Sequence, residues 1–250
     1  MKSVVLLMLA LGAVNVAWAD VQVKYRDVSG NVHTMRSDGN KVRINGGQIP
    51  GYLLLHSEVE TVYLVDKKRQ EVVKLPIDEI SGVSSGQALN VGLKSIGGSD
   101  KIAGYKTGRF NLIANGQLCG TLNGSSELIE QRELKSMLEA MQSLHKLTRT
   151  RMAGLGVLSE CQQASTQLSD LVDTSGFVLR YVDEKGKTLF EVTSIKTDKE
   201  VEEDYYEIPA GMEEVDMNAK LDQAKQLQDL MSDMDDDTKK QLQDALKQLQ

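Results

Sequence analysis

Cysteine is nearly absent from this chain. Among 250 residues there are two, Cys119 and Cys161. Neither stands close behind the N-terminal leader described below, so no lipid-anchor cysteine is expected. Histidine is as scarce. His33, His56 and His145 show no H-E-x-x-H spacing and no accompanying Cys or acid pattern for zinc, so no metal site and no cofactor is expected. Gly154-Leu155-Gly156 lacks the preceding strand and third glycine of a dinucleotide fingerprint, and hydrolase elbows and phosphate loops are missing. Ser143-Leu144-His145-Lys146 and Lys106-Thr107-Gly108 spell two serine acyl-transferase signatures in reversed order, without the Ser-Asp-Asn that completes the set. Asp233, Asp235, Asp237 and Asp244 match four positions of a calcium loop. Thr238 stands where the sharp turn needs Gly, and Asp244 is shorter than the usual Glu. No nucleophile–base pair emerges, and the chain reads as non-enzymatic.

A concentrated basic surface is also lacking. The formal net charge is −7. The densest cationic group, His145, Lys146, Arg149 and Arg151, falls near a helix C-terminus, where cations complement the helix dipole. Nucleic acid is therefore not an expected partner. Nor is there an apolar run of about 20 residues, the length a membrane span needs.

What is present begins with a secretory leader over residues 1–19. Lys2 supplies a short positive region, residues 4–16 are apolar, and Ala17-Trp18-Ala19 places small residues at the recognition positions, so cleavage is expected before Asp20. The remainder is long enough for one large domain or for one domain with an appendage. Export permits a disulfide and places the protein in the periplasm as a soluble chain with no transmembrane segment after cleavage.

The organising stretch is 101–123. Asn115-Gly116 best accepts the positive φ angles of a type I′ turn, which predicts a hairpin with Leu112 opposite Cys119 and Phe110 opposite Thr121. Phe110, Leu112, Ala114 and Cys119 then share one face, with Arg109, Asn111 and Ile113 on the other. Before it, Val21–Asp27, 32–36, 41–45, 52–55, 60–65 and 70–75 alternate and are separated by turn residues, giving about six antiparallel strands. Residues 77–99, rich in Gly and Ser, read as a loop with one short helix at most.

After the hairpin, Ser125 and Ser126 are placed to cap a helix whose first turn holds Glu127 and Glu130. Leu134, Met137, Leu138, Met141, Leu144 and Thr148 recur at helical spacing. A second helix carries Leu158, Cys161, Ala164, Leu168, Leu171 and Val172. Cys119 on the inward hairpin face and Cys161 on this stripe leave two readings. In one they bridge sheet to helix, closing a loop of about 40 residues worth about 2–4 kcal/mol. In the other they are separate buried thiols. Strands return at Phe177–Asp183 and 187–197 around Glu184-Lys185-Gly186, with a last short strand at 205–208 stopped by Pro209. The acid-rich run 198–216 reads as a solvated edge that resists edge-to-edge pairing. Residues 213–250 form a separate acidic tail. Leu221, Ala224, Leu227, Met231 and Met234, then Leu242, Ala245, Leu246 and Leu249, make amphipathic stripes suited to docking on an envelope protein or to self-association.

Several stretches resemble a known pattern. They are Ile102-Ala103-Gly104-Tyr105-Lys106, Asn115-Gly116-Gln117, Gly176-Phe177-Val178-Leu179, Phe190-Glu191-Val192-Thr193-Ser194-Ile195 and Tyr206-Glu207-Ile208-Pro209-Ala210-Gly211. In this order they are similar to a bacterial exported domain of unknown function related to the periplasmic lipoprotein-carrier half β-barrel. The resemblance spans residues 21–212. It implies an α+β fold over 20–212, in which a curved antiparallel sheet is covered by helices and the cavity between them receives a lipid or acyl chain, with no catalytic residue. The chain departs from it in its aromatic content, only 4%, and in the C-terminal amphipathic helical tail. On this reading the cavity lining is Phe110 and Leu112 from the sheet, Met137, Met141 and Leu144 from the helix, and Phe177 and Phe190 from the late strands. The alternative is a cell-envelope interaction or scaffold protein acting through its helical tail.

Overall fold

The computed structural model describes residues 20–47, 50–56, 61–76, 89–153, 159–197, 200–202 and 204–216. The leader, the calcium-loop residues and the helices expected over 217–250 lie outside the described residues.

The alternating N-terminal segments form β1 (Val21–Asp27), β2 (Val32–Ser37), β3 (Lys41–Gly46), β4 (Tyr52–His56), β5 (Thr61–Asp66) and β6 (Glu71–Pro76), a meander of successive antiparallel neighbours. Then come β7 (Val91–Ile102), β8 (Tyr105–Ala114), β9 (Gln117–Ser125), β10 (Phe177–Asp183), β11 (Thr188–Lys196) and β12 (Glu213–Asp216). All join one curved, unclosed sheet in the order β12-β6-β5-β4-β3-β2-β1-β11-β10-β9-β8-β7. The central join is β1 against β11, with Val23 opposite Ile195, and it unites the two halves of the chain. Pairing is antiparallel except for β12, which runs parallel to β6 at the edge.

The Asn115-Gly116 turn is as expected, with φ of 48° and 84° at its two positions. The expected register holds for only two pairs. Ala114 faces Gln117 and Ile113 faces Leu118, but Leu112 then faces Gly120 and Phe110 faces Leu122. Cys119 is the extra residue of a bulge. Gly120 allows it, because a Cβ there would collide with the Val182 carbonyl oxygen of the neighbouring strand. The predicted face survives the shift: Leu112, Ala114 and Cys119 are fully buried and Phe110 packs against them. Of the expected loop 77–99, residues 77–88 lie outside the described residues, and 91–99 are not a loop. They form most of β7, whose middle is interrupted between Ser95 and Ser99, where Gly97 and Gly98 take positive φ.

The helical layer is more broken than its periodicity suggests. Ser125 makes no side-chain cap, and Ser126–Leu128 is a single 3-10 turn. The long helix, α1, starts later, at Arg132–Ala153. Its first two turns are tied to the β2–β3 connection: Ser136 Oγ donates to the Gly39 carbonyl at 2.6 Å and Arg132 to Asn40 at 2.9 Å. The second helix divides into α2 (Glu160–Ser165), a 3-10 turn Leu168–Leu171 and α3 (Val172–Ser175). Ser159 opens α2 with a reciprocal capping box to Gln162. Cys119 and Cys161 are bonded, stapling α2 to β9.

Residues 205–208 are not a strand. Their backbone turns, with Glu207 N–H donating to the Asp204 carbonyl at 3.0 Å. Side chains of the sheet take the carbonyls a ladder would have used. Arg43 donates to the Tyr205 carbonyl at 2.5 Å and Tyr52 to that of Glu207 at 3.0 Å. This segment is a strap over the outer face of β4–β6, closing a cluster of Tyr52, Leu54, Val65, Val72 and Tyr206. It ends in β12.

A candidate apolar cavity between sheet and helices

Two apolar clusters fill the inner face. One joins β1–β6, β10 and β11 to α1 through Val23, Met35, Ile44, Leu134, Met137, Phe177 and Leu179. The other joins β8–β10 to α2 through Leu112, Cys119, Leu122, Ala164 and Tyr181. Phe190 packs against both. Where they meet they do not close, and a cavity of about 240 Å³ remains. Its floor is Val23, Tyr25 and Met35 from β1 and β2, with Phe177, Val178 and Tyr181 from β10 and Leu189 and Phe190 from β11. Its roof is Leu138 and Met141 from α1, Ser165 at the end of α2, Leu168 and Ser169 of the 3-10 turn, and Val172 of α3.

Of the seven lining residues expected from the sequence, Met141, Phe177 and Phe190 stand together here. The other four do not. Met137 is fully buried beneath α1, Leu112 is fully buried in the second cluster, and Phe110 and Leu144 pack at cluster margins. Sequence reasoning misses Val23, Tyr25 and Met35. Their inward position is legible from the alternation of β1 and β2, but their nearness to Phe190 depends on β1 pairing with β11.

Among the described residues, no Asp, Glu, Lys, Arg or His lines the cavity. Its phenols stay neutral. Burial pushes Tyr25 up to about 12, with Asp27 adding to the rise, and burial does the same to Tyr181, with Glu184 and Asp183 adding. Tyr181 donates to the Cys119 carbonyl at 3.0 Å. Just beyond the lining, Tyr25 stacks on His33 at 4.8 Å between ring centroids. His33 Nε2 lies 2.9 Å from Asp27 Oδ2; that hydrogen bond, with those from Asn31 and Ser29, holds Asp27 down at about 2.

A second hollow, of about 270 Å³, lies under the strap. The Arg43 guanidinium sits between the rings of Tyr52, at 3.6 Å, and Tyr205, at 4.2 Å. Since it also donates to the Tyr205 carbonyl, this cation anchors the strap. Among the described residues, no group of three or more His, Cys, Asp or Glu is placed to hold a metal. Among them, too, no helix is long and apolar enough to cross a membrane.

No protein-family model matches the chain, and no curated protein matches it. Solved structures do. An uncharacterized conserved protein from Thermus thermophilus aligns over 80% of this chain and 91% of its own, at 13% identity and a TM-score of 0.41. PNGF-II aligns over 82% of this chain and 32% of its own, at 13% identity and a TM-score of 0.38. MucB, in the Pseudomonas aeruginosa MucA/MucB complex, aligns over 77% of this chain and 56% of the other, at 12% identity and a TM-score of 0.37. Scores this low establish neither a shared fold nor a shared activity.

Proposed function

We propose that this is a non-enzymatic binding protein of the cell envelope, exported to the periplasm, that holds an apolar ligand between its sheet and its helical roof. The observation that carries the reading is the cavity itself. A hollow lined, among the described residues, by Met, Leu, Val, Phe and Tyr with two Ser and no charged side chain is suited to bind an apolar group by removing it from water, at about 25 cal/mol per Å² buried. Met141 and Met35 add adaptable surface, as unbranched thioethers fill irregular gaps. The leader expected over residues 1–19 supports export, and the resemblance to the lipoprotein-carrier half-barrel is consistent with a lipid or acyl-chain ligand. Native mass spectrometry of the protein purified from the periplasm, with organic extraction, tests this. A bound apolar small molecule is expected; bare protein that also fails to take up any apolar compound would remove the reading.

A second reading, a scaffold acting through the tail, is favoured by one feature. Pairing of Glu213–Asp216 with β6 fixes where the chain leaves the sheet, at its edge. Truncation after Asp216 is expected to abolish partner capture or self-association if this reading holds, and to leave both unchanged if it does not.

A further inference from the structure

Three features of the cavity constrain what fits it. The first is size. Pockets for drug-sized ligands span about 300–1,000 Å³, and an apolar cavity of about 150 Å³ holds one benzene. At about 240 Å³ this cavity lies between them. By the benzene benchmark, six carbons in about 150 Å³, the cavity has space for about eight to ten carbons.

The second is the absence of charge. Among the described residues, the lining holds only hydroxyls as polar side-chain groups, on Tyr25, Tyr181, Ser165 and Ser169. Tyr181 donates to the Cys119 carbonyl, and Ser165 donates to the Gln162 carbonyl at 2.7 Å. An ionised headgroup brought inside would find no opposite charge, and an unpaired buried ion is prohibitively costly. The third is that the roof is pinned on two sides. The Cys119–Cys161 bond fixes α2 to the sheet, and Gln142 Nε2 of α1 donates to the Ser169 carbonyl of the 3-10 turn at 2.8 Å. A roof tied at both sides does not lift freely to admit a larger guest.

Resting on the apolar-ligand reading, we infer that the cavity takes one short unbranched hydrocarbon chain of about eight to ten carbons. Its polar end stays outside, and lipids with two long chains are excluded. Length, not headgroup, selects the ligand.

Calorimetric titration of the intact protein with straight-chain alcohols and the matching carboxylates, from about four to about fourteen carbons, tests this. Affinity is expected to rise about fourfold per methylene, with the same slope in both series, and to stop rising at about eight to ten carbons. Met141→Ala removes about three methylene-sized groups from the roof and is expected to move the break to longer chains. Val172→Phe, which fills the cavity, moves it to shorter ones. A gain that continues to the longest chain overturns the inference while leaving the apolar-ligand reading intact. So does stoichiometric uptake of a two-chain phosphatidylcholine, or a break that neither variant moves. A bound molecule found by native mass spectrometry, together with no heat from any chain length, sinks the inference alone. Bare protein and no heat sinks both.

Discussion

Gly176 shows how one residue can hold two layers together. It ends α3 and opens β10 with φ of +71°, and a Cβ there would collide with the carbonyl group of Ser125. Only glycine combines that conformation with that approach. Gly176→Ala is expected to cost about 2 kcal/mol or more, read as a lower urea midpoint. Asp20 is the other residue whose setting has a measurable consequence. It is 4% exposed, accepts a hydrogen bond from the Tyr206 hydroxyl, and has Arg36 at 3.7 Å. Burial raises its carboxyl above the ordinary 3.8 and outweighs the Tyr206 and Arg36 contributions, which lower it. The folded chain therefore keeps a proton that the unfolded chain has released. This group's contribution to stability is full below pH 3.8 and is lost as the pH rises through the raised folded value. Relative to Asp20→Asn, which cannot titrate, the native chain is expected to lose stability in urea unfolding as the pH rises from below 3.8 through the raised folded value. A difference that grows with pH would mean that pairing with Arg36 dominates instead.

The disulfide and the short helices around it act as one element. The bond joins residues 42 apart in sequence and fixes the roof of the cavity to the bulge at Cys119. Replacing both cysteines by serine is expected to cost about 2–4 kcal/mol, and to weaken binding of a cavity ligand as the roof loosens. An unchanged affinity in a destabilised variant would separate the staple from the site. Elements of this kind differ in how much the sequence discloses. β1 alternates cleanly, β10 carries Phe, Leu and Tyr at every second position, and both are readable to the residue, as is the Asn115-Gly116 turn. β7 is not, because its residues 94–101 are all exposed and lie at the sheet edge, where no apolar face is needed to hold them. The strap misleads for the opposite reason. Tyr205-Tyr206-Glu207-Ile208 has strong strand propensity, but Arg43 and Tyr52 capture its carbonyls, and no ladder forms. The Cys119 bulge is invisible in sequence because its cause, the approach of Val182, belongs to a distant strand.

At the scale of the whole molecule, the sheet order makes the site. Because β1 lies between β2 and β11, residues 23–35 from the start of the chain meet 177–190 from its later part, and α1 crosses over them. A cavity assembled from such separate segments is only partly legible in a linear reading, which finds Met141, Phe177 and Phe190 and misses the β1 wall. The same topology makes the cavity a boundary between two cores, so filling it should leave each core intact. Val172→Phe, at a half-buried roof position, is accordingly expected to change the unfolding free energy by no more than about 1 kcal/mol. The most direct test is calorimetric titration of octanol into the native protein and into Val172→Phe. One-to-one binding with a negative heat-capacity change in the native chain, clearly weakened in a variant that remains folded, is the predicted result. Equal binding by both would place any ligand elsewhere and contradict the account.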